Sequence, residues 1–308
     1  MGELPNEDNV SARVKDDASL PTPTTPYQKT LRAAARIIYN FHALADRMAA
    51  LAYVIHHDMT SPTQTQVQGT FTIAGKAVSY KADFGKFDIN GDGTPDGSGN
   101  AVDVPIAVRV WADSGNGYQR LMCALITTKP SADNFGAGQL YAKPSAARSD
   151  APGNVQFYVN WDRTDPSHKW NEAFVTGDMA TGLTVQNGHH RVDVRTEASS
   201  NSIEKTVRSA DNLATNPYGL QTYQSSVHFE PGSGYALLSG LASGTGGSFS
   251  FTNVCADLVN QAVATNGECN AFDTQDMPFI NAPTGTEMNF PADFPATPTF
   301  SGTPGNGG

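Results

Sequence analysis

The residues from Asp88 to Asp96 read D-I-N-G-D-G-T-P-D, and their types and spacing suit one chemistry, the caging of a hard divalent cation by oxygen. Asp88, Asn90, Asp92 and Asp96 offer side-chain oxygen at loop positions 1, 3, 5 and 9, Gly93 permits the sharp turn at position 6, and Thr94 supplies a backbone carbonyl at position 7. Ca²⁺ is the expected ion. A plain Asp/Asn/Gly turn is the competing reading, because these residues favour turns without any metal. It explains the stretch less well, since closely spaced carboxylates repel one another unless a cation stands between them. Position 12, where helix-loop-helix calcium sites carry a bidentate Glu, is Gly99 here, so Asp103 or a water completes the shell.

These nine residues resemble the D-x-N-x-D-G-x-x-D loops of FG-GAP and thrombospondin-type repeats, which join strands. Those families carry many copies and this chain carries one. The resemblance implies a calcium loop between two strands and says nothing about the rest of the fold.

Other chemistry is sparse. There is no G-x-S-x-G, no H-E-x-x-H and no phosphate-binding glycine pattern, and the glycines at 232–247 fall in turns. The chain is therefore expected not to be an enzyme, although an acid pair on a β scaffold leaves no local signature. The pairs His56-His57 and His189-His190 each offer one ligand to a given metal site, because neighbours on a helix or strand diverge. The expected role of the first pair is to stabilise a helix C-terminus. Trp111 beside Arg109, Tyr158 beside Asn160, and Trp170 place aromatic rings next to polar groups, which suits a glycan or protein ligand. Trp111, Arg109 and Tyr158 are the ligand-site candidates, the alternative being that these rings lie beneath a covering helix.

Cys255 and Cys269 flank a turn-rich loop and are expected to form a disulfide, whereas Cys123, inside L-M-C-A-L-I, reads as a buried free thiol. A disulfide points to an oxidising compartment. The 308 residues carry a net charge of −10 and no Lys/Arg cluster, which excludes a nucleic-acid partner. Charged residues are only 16% while Gly (29) and Pro (19) are plentiful, the texture of an all-β extracytoplasmic protein, secreted or on a bacterial cell surface. No export signal is visible behind Met1-Gly2, which reads as a start grafted onto a mature sequence. The Pro/Thr-rich leader resembles the tether of a bacterial lipoprotein, without the lipidated cysteine.

Three segments must position these residues. Residues 1–26 read as a solvated linker. Residues 27–281 read as one β-rich domain that opens on a long amphipathic helix, 27–58, with Leu31, Ala34, Ile38, Phe41, Ala45, Met48, Ala52 and Ile55 at spacings of three and four. Arg36, His42, Asp46 and Arg47 exclude it as a transmembrane segment. From residue 63 the period becomes two, and about ten to twelve antiparallel strands are expected in a β-sandwich or barrel, with C-A-D-L-V-N-Q-A-V-A as a short closing helix. Residues 282–308 read as an extended tail whose Phe290, Phe294 and Phe300 dock on the body or on a neighbour. The leading expectation is a calcium-stabilised binding or structural domain. The alternatives are a self-assembling subunit of an extracellular filament, suggested by the long helix and the Phe-spaced tail, and a polysaccharide-active enzyme.

Overall fold

The computed structural model describes residues 22–32, 50–60 without 52 and 56, 64–87 without 74, 104–128, 136–148, 156–162 and 164. It further describes 168–198 without 177, 182 and 183, then 203–213, 222–229, 234–264 without 246 and 261, 267–269, 279–281, 289–291 and 294–299. Side chains are described for these except 86–87, 104–106, 128, 168–190 and 192–213. The chain is mainly β and antiparallel, with fourteen strands among the described residues. It forms two compact units, Ala45–Thr164 with Thr286–Gly308, and Pro5–Leu44 with Asp165–Gly285. The tail thus belongs with the first unit.

In the first unit β1 (Gln66–Ile73), β2 (Lys76–Phe87), β3 (Val104–Asp113), β4 (Gln119–Thr128), β5 (Ala137–Ala142) and β6 (Gln156–Asp162) pair in sequence order, each antiparallel to the next. The turns carry the residues that alternation requires. Gly75 sits at φ 76° beside the Ile73↔Lys76 pair, and Asp113 Oδ1 accepts the N–H groups of Gly115 (2.7 Å) and Gly117 (3.0 Å). Leu121, Met122, Cys123, Ala124 and Leu125 are buried without a break along β4, so both faces of the sheet are covered. One face carries the row Ala82, Val110, Met122, Ala142, Phe157. Asp58, just beyond helical residues within 50–57, accepts a hydrogen bond from the Tyr80 hydroxyl at 2.6 Å and ties that helical end to β2.

The second unit contains β7 (His168–Thr176), β8 (Asp178–Thr181), β9 (Thr184–Ala198), β10 (Ile203–Leu213), β11 (Thr222–Phe229), β12 (Tyr235–Ser243), β13 (Phe249–Asp257) and β14 (Ala262–Val263). β9 lies between β7 and β10 and also pairs with β8, and β10 to β14 follow as a meander. Helical residues 26–32 pack on β11–β13. The Tyr223 hydroxyl donates to the Thr30 carbonyl at 2.7 Å, and the Tyr27 and Phe251 rings meet edge to face at 4.8 Å. Thr25 caps this helical start by a reciprocal exchange, its Oγ1 accepting from Gln28 N–H (3.2 Å) and its N–H donating to Gln28 Oε1 (3.3 Å).

Two expectations are corrected, and a third is shown only in part. No strand pairing among the described residues closes a barrel, because the strands follow an open path from β1 onward. The helix expected over 27–58 appears as helical residues at 26–32 and within 50–57, and 33–49 lie outside the described residues, so one continuous helix is not shown. The closing helix expected after Cys255 is instead the end of β13, a turn and β14. There Asp257 Oδ1 accepts the N–H groups of Val259 (2.8 Å) and Asn260 (2.9 Å), which turns the chain back so that Ala256 pairs with Val263. The same donors, those of Asn260 first, hold the Asp257 carboxyl below its ordinary range.

Candidate functional site

The calcium ligands expected from sequence, Asp88, Asn90, Asp92, Thr94 and Asp96, lie outside the described residues. Their flanks do not. β2 ends at Phe87, β3 begins at Val104, and Phe87 pairs with Val104 across the ladder, so residues 88–103 connect two antiparallel strands whose ends are held together. Among the described residues no group of three or more His, Cys, Asp and Glu is placed to hold a metal. His57 is exposed, with Nδ1 at 3.7 Å from Asp58 Oδ1.

Arg109, Trp111 and Tyr158 share the face of the first unit's sheet opposite the Ala82–Phe157 row. The register lays Asp83, Arg109, Cys123, Tyr141 and Tyr158 side by side across five strands. Arg109 Nη2 meets Asp83 Oδ2 at 2.8 Å, with both side chains about four-fifths buried. Burial pushes the Asp83 carboxyl up, and the Arg109 guanidinium only partly opposes it. Tyr141 is pushed up to about 12, by burial first and then by the neighbouring Cys123 thiol, with a hydrogen bond to Tyr158 pulling the other way. Cys123 is a buried free thiol, as the sequence suggests, and Cys255 and Cys269 form the expected disulfide.

Around Trp111 this face is apolar and covered rather than open. Trp111 is 1% exposed and Tyr158 9%. What covers Trp111 is the chain's own tail, not a helix. Phe294, itself buried, joins Ala107, Trp111, Cys123 and Leu125 in one cluster, with Tyr118, Tyr141 and Phe290 packed around it. The Trp111 and Phe294 rings meet edge to face at 5.0 Å, and Phe290 meets Phe294 in the same manner at 5.1 Å.

Two side chains read the tail's backbone. Trp111 Nε1–H donates to the Pro295 carbonyl at 2.9 Å, and Arg120 Nη1 donates to the Phe294 carbonyl at 3.1 Å. The Arg120 guanidinium also lies 5.3 Å from the Phe290 ring centroid and 5.9 Å from that of Phe294. A register shift after Val110 makes this possible. Arg109 pairs with Cys123 and Val110 with Met122, but Trp111 pairs with Arg120, so one extra residue in β4 brings the guanidinium level with the indole.

The arrangement is that of a peptide groove. An aromatic wall, an indole donor and a guanidinium hold the carbonyls and rings of a proline-containing segment that folds back on itself, the Phe294 N–H donating to the Pro291 carbonyl at 3.0 Å. Burying Phe294 contributes about 1.5–3 kcal/mol and each carbonyl hydrogen bond about 1 kcal/mol. Arg120, Tyr118 and Tyr141 were not legible as parts of this site. The alternation of β3 indicates which side Trp111 takes, but Arg120 joins it only through the shifted register. Compared with family models, with curated proteins and with solved structures, the chain matches none.

Proposed function

We propose that this chain is a calcium-binding extracytoplasmic β-protein, of β-sandwich architecture, with a binding or structural role. The observation that carries the reading is the position of the D-x-N-x-D-G-x-x-D stretch, which begins one residue after the Phe87↔Val104 pair closes the β2–β3 hairpin. A cation drawn to these oxygens would hold a long connection against the sheet. Because the ligand set exists only when the hairpin is formed, calcium would stabilise the folded state alone. The Cys255–Cys269 disulfide supports the compartment, since such bonds persist where the surroundings are oxidising. No helix among the described residues is long and apolar enough to cross a membrane.

The test is thermal unfolding of the full chain with millimolar calcium and with chelator. Calcium at about 100 times its dissociation constant adds about 2.7 kcal/mol, and the double variant Asp88→Ala, Asp92→Ala is expected to unfold at one temperature in both buffers. If the unaltered chain shows no difference between the buffers, the calcium reading fails.

A further inference from the structure

The tail that fills the Trp111–Arg120 groove contains its anchoring unit twice. Residues 290–297 read F-P-A-D-F-P-A-T, so Phe290-Pro291-Ala292 repeats as Phe294-Pro295-Ala296. In the second copy Phe294 inserts beside Trp111, and the carbonyls of Phe294 and Pro295 take the Arg120 and Trp111 donors. What the groove reads is therefore two phenylalanine rings, Phe290 and Phe294, and two consecutive main-chain carbonyls. It reads no feature that ties the occupant to its own chain. We propose that this groove is an exchangeable Phe-Pro peptide site and that its second occupant is the tail of another copy of this chain, which joins molecules tail to groove.

The geometry favours that occupant over an unrelated apolar ligand. The donors are aimed at two consecutive main-chain carbonyls, and Pro291 and Pro295 restrict the backbone of the free tail, which lowers the entropic cost of docking it. The contact is also heterologous, a tail on a groove, so it can propagate from copy to copy instead of closing on itself. Within one chain the tail competes at an effective concentration of roughly millimolar. Exchange therefore becomes substantial only where copies are crowded or the resident tail is weakened. The proposal draws nothing from calcium, and its test runs in chelator so that its failure and that of the calcium reading stay distinct.

Full chain carrying photoreactive benzoylphenylalanine in place of the exposed Ala296 is mixed with uniformly 15N-labelled natural-sequence chain. The mixture is irradiated over a concentration series reaching about millimolar. The expected products join the unlabelled tail to labelled β3 or β4 peptides, in an amount that rises with concentration. Adducts confined to single chains at every concentration overturn the proposal. A second measurement follows the anisotropy of a fluorescent peptide of residues 286–300. Phe294→Ala chain, whose own tail is weakened, is expected to bind it about ten-fold tighter than natural-sequence chain, and a peptide lacking both Phe290 and Phe294 rings is expected not to bind. Absence of saturable binding to a folded Phe294→Ala chain also overturns the proposal. Should that variant not fold, the cross-linking outcome decides.

Discussion

An ideal Cβ built on Gly138 would stand 2.5 Å from Trp161 Cζ2 and 2.6 Å from the Leu125 carbonyl oxygen. Gly138 faces Trp161 directly across the β5–β6 ladder, so the indole lies over a position with no side chain to displace it. Neither obstacle can yield easily, one being backbone and the other a fully buried ring. Gly138→Ala is therefore expected to destabilise the fold by about 1–3 kcal/mol through overpacking, read by urea unfolding. Tyrosines on both faces of this unit's sheet add a pH signature. Tyr80 is pushed well above its ordinary range by burial and by its hydrogen bond to Asp58, and Tyr141 is pushed up to about 12. In both, the folded state keeps a proton that the unfolded chain releases first. The contribution of each is complete below pH 10.0, the ordinary tyrosine value; that of Tyr141 is lost as pH rises through about 12, and that of Tyr80 persists to higher pH. Denaturant unfolding at stepped alkaline pH is expected to show that loss, and Tyr141→Phe to make it shallower. At this scale the sequence was partly legible. The alternation placed Trp111 and Arg109 on one side of β3, but the residue that caps Trp111 through its carbonyl, Pro295, lies 184 positions away. No local pattern reports such a contact.

Among the elements, strands were read more faithfully than helices. All fourteen strands among the described residues fall in the stretch from residue 63 where the sequence period becomes two, because one ladder and one turn are local properties. The stretch after Cys255 failed for an equally physical reason. Its apolar spacing suits a helix, and Asp257 accepts the Val259 and Asn260 N–H groups as a helix cap would, but pairing of Ala262 and Val263 with β13 reverses the chain after a single turn. The disulfide fastens this corner. It closes a loop across a sequence separation of 14 and sets Cys269 against Leu237 and Tyr235. Reducing it, or the pair Cys255→Ser and Cys269→Ser, is expected to cost about 3 kcal/mol, mainly by freeing the unfolded chain. Chemical unfolding with and without reductant reads that cost. On the Trp111 face of the first unit's sheet the tail acts as an element without being a strand. Phe294→Ala empties the space above Trp111 and is expected to cost about 3–5 kcal/mol, with a red shift in tryptophan emission.

Taken whole, the proposed calcium stretch and the disulfide fall in different compact units. The Asp88–Asp96 stretch interrupts the β2–β3 hairpin of the first unit, whereas the Cys255–Cys269 bond closes the β13 corner of the second. Calcium and reductant should therefore mark different peptides. A cation that tightens the connection at Phe87 and Val104 suppresses opening of those strands first, since local opening is governed by the contacts nearest to it. Breaking the disulfide frees the corner beside β12 and β13 by the same reasoning. Hydrogen exchange read peptide by peptide is expected to show calcium slowing exchange in 76–87 and 104–113, and reductant speeding it in 235–257. Magnesium is expected to substitute poorly, because its smaller shell demands near-octahedral geometry and releases water reluctantly, whereas a loop of carboxylates and a carbonyl suits the larger, more variable calcium shell. If calcium slowed exchange evenly along the chain, or magnesium did so equally well, the acidic stretch would be binding counterions by charge alone, as a chain of net charge −10 can do anywhere on its surface.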